Sequence, residues 1–103
     1  MDRIVQLSKI FSDINRLKIF AMALRDKNLC VCEICDTLEL SQPLVSRHLK
    51  QMREADILTS NKKGKWIIYS LVSTPDSSLK CWIKETDQYL SSIPKLVSCE
   101  IKY

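Results

Sequence analysis

The sequence predicts a mainly α-helical domain that carries one small β-hairpin. Apolar residues recur at helical spacing through most of the chain. A link of only a few residues joins two short helices near its middle. Beyond them, the only glycine separates two β-rich runs.

Each element follows in order. Ile4, Leu7 and Phe11 mark a first helix. Asp13 is placed to cap a second, whose Leu17, Phe20, Ala21 and Leu24 follow the i, i+3, i+4, i+7 pattern of an amphipathic helix. Val31, Ile34, Cys35 and Leu38 repeat that spacing over a short third helix. Ser41 reads as the N-cap of a fourth, with Pro43 in its first turn, where a missing N–H costs little. Val45, Leu49 and Met52 are its buried stripe, and it runs to about Ala55. The link Glu39-Leu40-Ser41 is short enough to make the third and fourth helices a helix-turn-helix. A hairpin follows, with strands over Ile57 to Ser60 and Trp66 to Leu71 and a turn over Asn61 to Lys65, where Gly64 supplies a positive φ. Thr74 and Pro75 then open a last helix with Leu79, Trp82, Ile83 and Leu90 on one stripe. Pro94 stops it, and the chain from about residue 93 is expected to be looser. The whole, 1–103, reads as a single winged helix-turn-helix domain.

Composition narrows the function. The 103 residues carry a net charge of +4, which mildly favours a polyanionic partner. No apolar run reaches the roughly 18–20 residues of a membrane span, and Met1 opens onto Asp2 and Arg3 rather than a signal peptide. A cytoplasmic protein with no membrane partner is expected, its five cysteines reduced.

The fourth helix turns Gln42, Ser46, Lys50 and Arg53 away from its apolar stripe, with Pro43 and Arg47 beside them. Gln pairs bidentately with adenine and Arg with guanine, and the start of a recognition helix reaches deepest into the major groove. Ser41, Gln42, Pro43, Ser46, Arg47 and Lys50 are therefore the expected contacts to double-stranded operator DNA. Lys62, Lys63 and Lys65 on the hairpin are expected along the backbone or in the minor groove. His48, the only histidine, lies on the apolar side between Val45 and Met52. Helix packing is the first reading for it and a DNA contact the second.

Cys30-Val31-Cys32-Glu33-Ile34-Cys35 is the other concentration of chemistry. Cys32 and Cys35 share a helix face, whereas Cys30 joins them only from the helix start. A helix N-terminus also lowers a thiol pKa, which favours a ligating thiolate. Three thiolates without a fourth ligand do not make a structural zinc site. They match the trigonal pyramid of As(III) or Sb(III), soft ions that select sulfur. Cys35 alone also reads as a core residue, and Cys81 and Cys99 have no local partner.

With these residues in view, Asn28 to Leu71 resembles the ArsR/SmtB metalloregulators, in particular their arsenical-resistance repressor branch. The likeness rests on Cys30 to Cys35, on Ser41-Gln42-Pro43-Leu44-Val45-Ser46-Arg47-His48-Leu49 and on Lys63-Gly64-Lys65-Trp66-Ile67-Ile68-Tyr69-Ser70-Leu71. Ser12 to Leu17 also resembles the family's second-helix opening, and the likeness fades in the last helix. The resemblance implies a homodimeric repressor whose first and last helices form the interface. It implies no constitutive cofactor, and Cys30, Cys32 and Cys35 as ligands of the inducer, As(III) or Sb(III). Relatives that sense cadmium or lead add cysteines near the N-terminus, and this chain has none before Cys30. Zinc and nickel sensors use histidines and carboxylates on the last helix, and Pro75 to Leu90 contains no histidine. A repressor sensing a divalent soft metal or thiol oxidation is the alternative reading. A thiol enzyme is a remote one, because the helical Cys-x-Cys lacks a thioredoxin-like setting.

Overall fold

The structure, a computed structural model, describes residues 1–97. Five α-helices and one hairpin follow in order: α1 (Asp2–Phe11), α2 (Ile14–Asp26), α3 (Val31–Leu38), α4 (Gln42–Glu54), β1 (Leu58–Lys63), β2 (Trp66–Leu71) and α5 (Ser77–Thr86). A 3-10 helix, Asp87–Ser92, continues from α5. Asp13 caps α2 as expected, its carboxylate accepting from the N–H groups of Asn15 and Arg16. The turn of the helix-turn-helix begins at Glu39, whose left-handed φ of 56° ends α3, and the Leu40 N–H closes back on the Cys35 carbonyl at 3.0 Å.

The hairpin is longer than the sequence indicates. Its register runs from Leu58 opposite Leu71 to Lys63 opposite Trp66, which leaves Gly64 and Lys65 as a two-residue turn. Gly64 has φ +61°, as the favoured hairpin turns require of their first central residue. Asn61, Lys62 and Lys63 belong to β1, but they are solvated and show no apolar alternation. The start of α5 also differs. Asp76, not Thr74, is the N-cap: its carboxylate accepts from the Leu79 N–H at 3.1 Å and from Arg3 Nε at 2.8 Å. The Arg3 guanidinium holds the Asp76 carboxyl below its ordinary value and ties α1 to α5.

One core joins every helix to the wing. Leu7, Phe20, Ile34, Leu49, Met52, Ile57 and Leu79 are all fully buried in it. Phe11 lies between Phe20 and Trp82, each ring centroid 4.6 Å away. Leu7, Phe11 and Leu79, on the two helices that the resemblance assigns to the dimer interface, are therefore consumed by this chain's own core. On α1 it is Ile4 and Val5 that face outward.

Arginines close the ends of the helices. Arg16 donates to the Ile10 carbonyl at 2.7 Å, the Lys9 carbonyl at 3.2 Å and Gln51 Oε1 at 3.0 Å, so it satisfies the end of α1 while bracing α4. Arg25 donates to the carbonyls of Ile93 and Pro94, both at 2.7 Å, and the Val97 N–H donates to Thr37 Oγ1 at 2.8 Å. Of the tail expected to be looser, residues 93–97 are thus held to α2 and α3, and the rest lies outside the described residues. No helix among the described residues is long and apolar enough to cross a membrane.

Candidate thiol site and nucleic-acid interface

Cys30 is the N-cap of α3, the position that lets it share a side with Cys32 and Cys35. A capping box forms around it. The Cys30 N–H donates to Glu33 Oε1 at 3.0 Å, and Cys30 Sγ faces the Glu33 N–H in return. Cys30 and Glu33 are buried, and Cys32 and Cys35 are half-buried. Glu33 is therefore part of the site's frame. The sequence contains that signal, a carboxylate three residues past the cap, but with cysteine in place of the usual serine or threonine.

Cys30, Cys32 and Cys35 all line one open cleft of about 510 Å³. Val31 and Asp36 of α3 complete its inner side. Gln42, the first residue of α4, and Lys65, Trp66 and Ile67 of the wing make the rest of its wall. Lys65 Nζ lies 5.4 Å from the centroid of the Trp66 ring. The cleft brings the cysteines together with two residues read from sequence as DNA contacts, Gln42 and Lys65. The sequence marks Trp66 only as a strand residue, because no local pattern reports a partner so distant in the chain.

The thiols are not preorganised as a ligand set. Among the described residues no three His, Cys, Asp or Glu side chains are gathered to hold a metal ion. Cys30, Cys35 and Cys81 are free thiols, and Cys32 Sγ lies 3.7 Å from Asp36 Oδ2. Cys99 lies outside the described residues.

The expected fall in thiol pKa is also overturned. Burial pushes the Cys30 thiol up, and the Glu33 carboxylate adds to the rise, against the opposing pull of the Glu33 and Cys32 N–H groups. Burial likewise raises Cys35, with the Asp36 charge acting in the same direction. Both thiols are therefore protonated at neutral pH.

Ser41, Gln42, Pro43, Ser46, Arg47, Lys50, Lys62, Lys63 and Lys65 are all exposed, on α4 with its cap and on the wing. Arg53 is exposed on the same helix, and Lys50 lies 4.0 Å from Glu54. His48 is the exception. At 3% exposure it faces inward, its Nδ1 3.4 Å from Arg16 Nη1, so it packs α4 against α2 and leaves the DNA-facing set.

The comparisons agree with this geometry. Residues 13–60 match the family model "Bacterial regulatory protein, arsR family". The "Arsenic resistance transcriptional regulator ArsR1" of Pseudomonas putida is 41% identical over 87 residues, covering 81% of this chain and 68% of the relative. The "Arsenical resistance operon repressor" of Escherichia coli is 45% identical over 67 residues, covering 65% of this chain and 57% of the relative. Among solved structures, HlyU from Vibrio cholerae superposes with a TM-score of 0.73 at 30% identity, over 84% of this chain and 90% of that one. The helix-turn-helix, the basic hairpin beyond it and these likenesses converge. The chain belongs to the ArsR family of bacterial regulatory proteins, and it is a DNA-binding winged helix-turn-helix transcriptional regulator rather than an enzyme.

Proposed function

We propose that this chain is a cytoplasmic, homodimeric repressor, a single domain over 1–103, that releases operator DNA when As(III) or Sb(III) is ligated by Cys30, Cys32 and Cys35. The observation that carries this reading is the shared cleft, lined by Cys30, Cys32 and Cys35 together with Gln42 at the head of α4 and Lys65 at the wing. Two named relatives are arsenic-resistance regulators, which supports the choice of inducer. The outward apolar residues Ile4 and Val5 of α1 suit a second copy of the chain.

The raised thiol pKa values favour a metalloid over a divalent cation. Arsenous acid is neutral at pH 7 and binds by exchange, As(OH)3 + 3 RSH → As(SR)3 + 3 H2O. Each thiol proton leaves with a hydroxyl as water, so no proton reaches solvent. A divalent cation must instead expel the protons, M2+ + 3 RSH → M(SR)3− + 3 H+, and a raised pKa opposes it. The product charges agree: As(SR)3 is neutral, and the two charged residues of the cleft, Asp36 and Lys65, offset each other.

Release follows from what Cys30 already does. To bind the metalloid it must leave the capping box, and losing a cap costs a helix about 0.5–2 kcal/mol. Coupling free energies are typically about 1–3 kcal/mol, so an effect of this size is enough to disturb α3 and the α4 that follows it.

Calorimetry in buffers of different ionisation enthalpy tests the reading. Reduced protein is expected to bind one arsenite per chain with close to zero net proton release, and with affinity nearly flat from about pH 6 to 8. Cadmium is expected to release about three protons and to bind more tightly as pH rises. Proton release on arsenite binding, or no binding at all, contradicts the assignment.

For DNA, Arg47→Ala is expected to cost about 1–3 kcal/mol and to relax sequence preference, as for a base-reading arginine. Lys63→Ala is expected to weaken all sequences alike and to reduce the salt slope by about one. Titrations at several salt concentrations separate the two. Equal, salt-independent losses would contradict this division of roles.

A second reading, thiol oxidation as the signal, is favoured by the three closely spaced cysteines that line one cleft. Release of DNA by peroxide without metalloid, reversed by a thiol reductant, would distinguish it.

A further inference from the structure

We propose that the wing is a second output of the thiol cleft, so that a metalloid held by the cysteines repositions β2 and its basic tip as well as α3. This rests on the metalloid reading of the cleft. Two contacts from opposite sides of Cys30 carry it. On the inner side, Leu29 is fully buried and pairs in both directions with Tyr69 of β2. The Leu29 N–H donates to the Tyr69 carbonyl at 2.9 Å, and the Tyr69 N–H donates to the Leu29 carbonyl at 2.6 Å. Cys30 is the next residue. Where its backbone follows its sulfur toward Cys32 and Cys35, that bridge must move or break, and breaking it leaves buried backbone groups unpaired.

On the outer side, Trp66 and Lys65 of the same hairpin form part of the cleft wall, the ammonium 5.4 Å from the indole ring. A cleft of about 510 Å³ is far larger than one metalloid ion. Drawing three sulfurs into a pyramid contracts its inner side, and the wall must follow or lose contact. β1 and β2 are paired from Leu58–Leu71 to Lys63–Trp66, so a shift at Tyr69 and Trp66 reaches Lys62 and Lys63 through a continuous ladder. Trp66 acts here as a positioning residue, since it lines the cleft without supplying a ligand.

The test uses the reduced full chain without DNA. Trp82→Phe keeps an aromatic ring beside Phe11 and leaves Trp66 as the only indole. In that protein arsenite is expected to change Trp66 emission, saturating at one equivalent in parallel with the ultraviolet absorption of arsenic–sulfur bonds. The change should be absent when Cys30, Cys32 and Cys35 are all serine. In the parent chain, Trp66→Leu is expected to weaken arsenite binding about three- to fivefold, the scale of one exposed cation–π and aromatic wall, and Trp66→Phe to restore most of it. Arsenic–sulfur absorption with unchanged Trp66 emission would overturn the proposal while leaving the metalloid site standing. No such absorption in the parent chain would overturn both. If Trp66→Leu fails to fold by circular dichroism, the emission measurement still decides.

Discussion

Replacing Cys30, Cys32 and Cys35 together by serine is expected to abolish arsenite binding and to leave a folded repressor that no inducer releases. Folding should survive because each change is small and two of them fall at tolerant positions. Serine is a better N-cap than cysteine, so Cys30→Ser keeps the capping box with Glu33. Cys32 is half-buried near the surface of α3. Cys35 packs against the core, so its serine variant is expected to cost about 1 kcal/mol, near the centre of single-substitution effects. Each single serine variant is expected to weaken arsenite binding by more than about tenfold, since two sulfurs cannot complete a three-coordinate pyramid. Cys81→Ser is expected to change nothing, because Cys81 is exposed on α5 and does not line the cleft. Equilibrium binding of reduced protein, with arsenic counted per chain, checks all of these. Wild-type affinity in the triple variant would mean that the inducer binds elsewhere.

The second large effect is on the fold. Phe20 is fully buried in α2 and packs on Phe11, which packs in turn on Trp82 of α5. Phe20→Ala is expected to cost about 3–5 kcal/mol from lost burial and the remaining cavity. That is a large share of the roughly 5–15 kcal/mol that holds a domain of this size folded. At about 4–8 °C per kcal/mol, the midpoint of thermal unfolding should fall by some tens of degrees. Phe20→Leu keeps most of the volume and is expected to cost about 1.5 kcal/mol or less. Thermal unfolding followed by circular dichroism reads both. Equal small losses would mean that the ring chain does not join α1, α2 and α5.

The helices were legible because their signals are local. The stripe of Leu17, Phe20, Ala21 and Leu24, the cap at Asp13 and Pro43 in the first turn of α4 are all read within a few residues of where they act. The misreadings came where a distant or solvated partner decides. β1 runs on through Asn61, Lys62 and Lys63, but a strand exposed on both faces leaves no alternation to read. Thr74 before Pro75 imitates a helix start, whereas Asp76 holds the real one with help from Arg3 of α1. Leu7 and Leu79 are apolar in either setting, so periodicity alone cannot assign them to a core or an interface. His48 divided between packing and DNA until burial placed it inside.

The candidate site divides in the same way. The cysteine cluster and its place at a helix start are written in six consecutive residues. Their ionisation is not, because burial and the carboxylates of Glu33 and Asp36 outweigh the helix terminus. Nor is the cleft itself, which forms only when the wing folds back beside α3 and brings Lys65 and Trp66 to the thiols.

The central claim is that one cleft joins the thiols to the DNA-reading surfaces, and operator affinity measured with and without inducer tests it most directly. Reduced full-length protein is titrated onto operator duplex at fixed salt, first alone and then with arsenite in excess over chains. Arsenite is expected to weaken operator binding about tenfold or more, within the usual range of coupling between two sites, and to have no effect on the triple serine variant. An operator affinity that arsenite leaves unchanged, with the metalloid demonstrably bound to Cys30, Cys32 and Cys35, would contradict it.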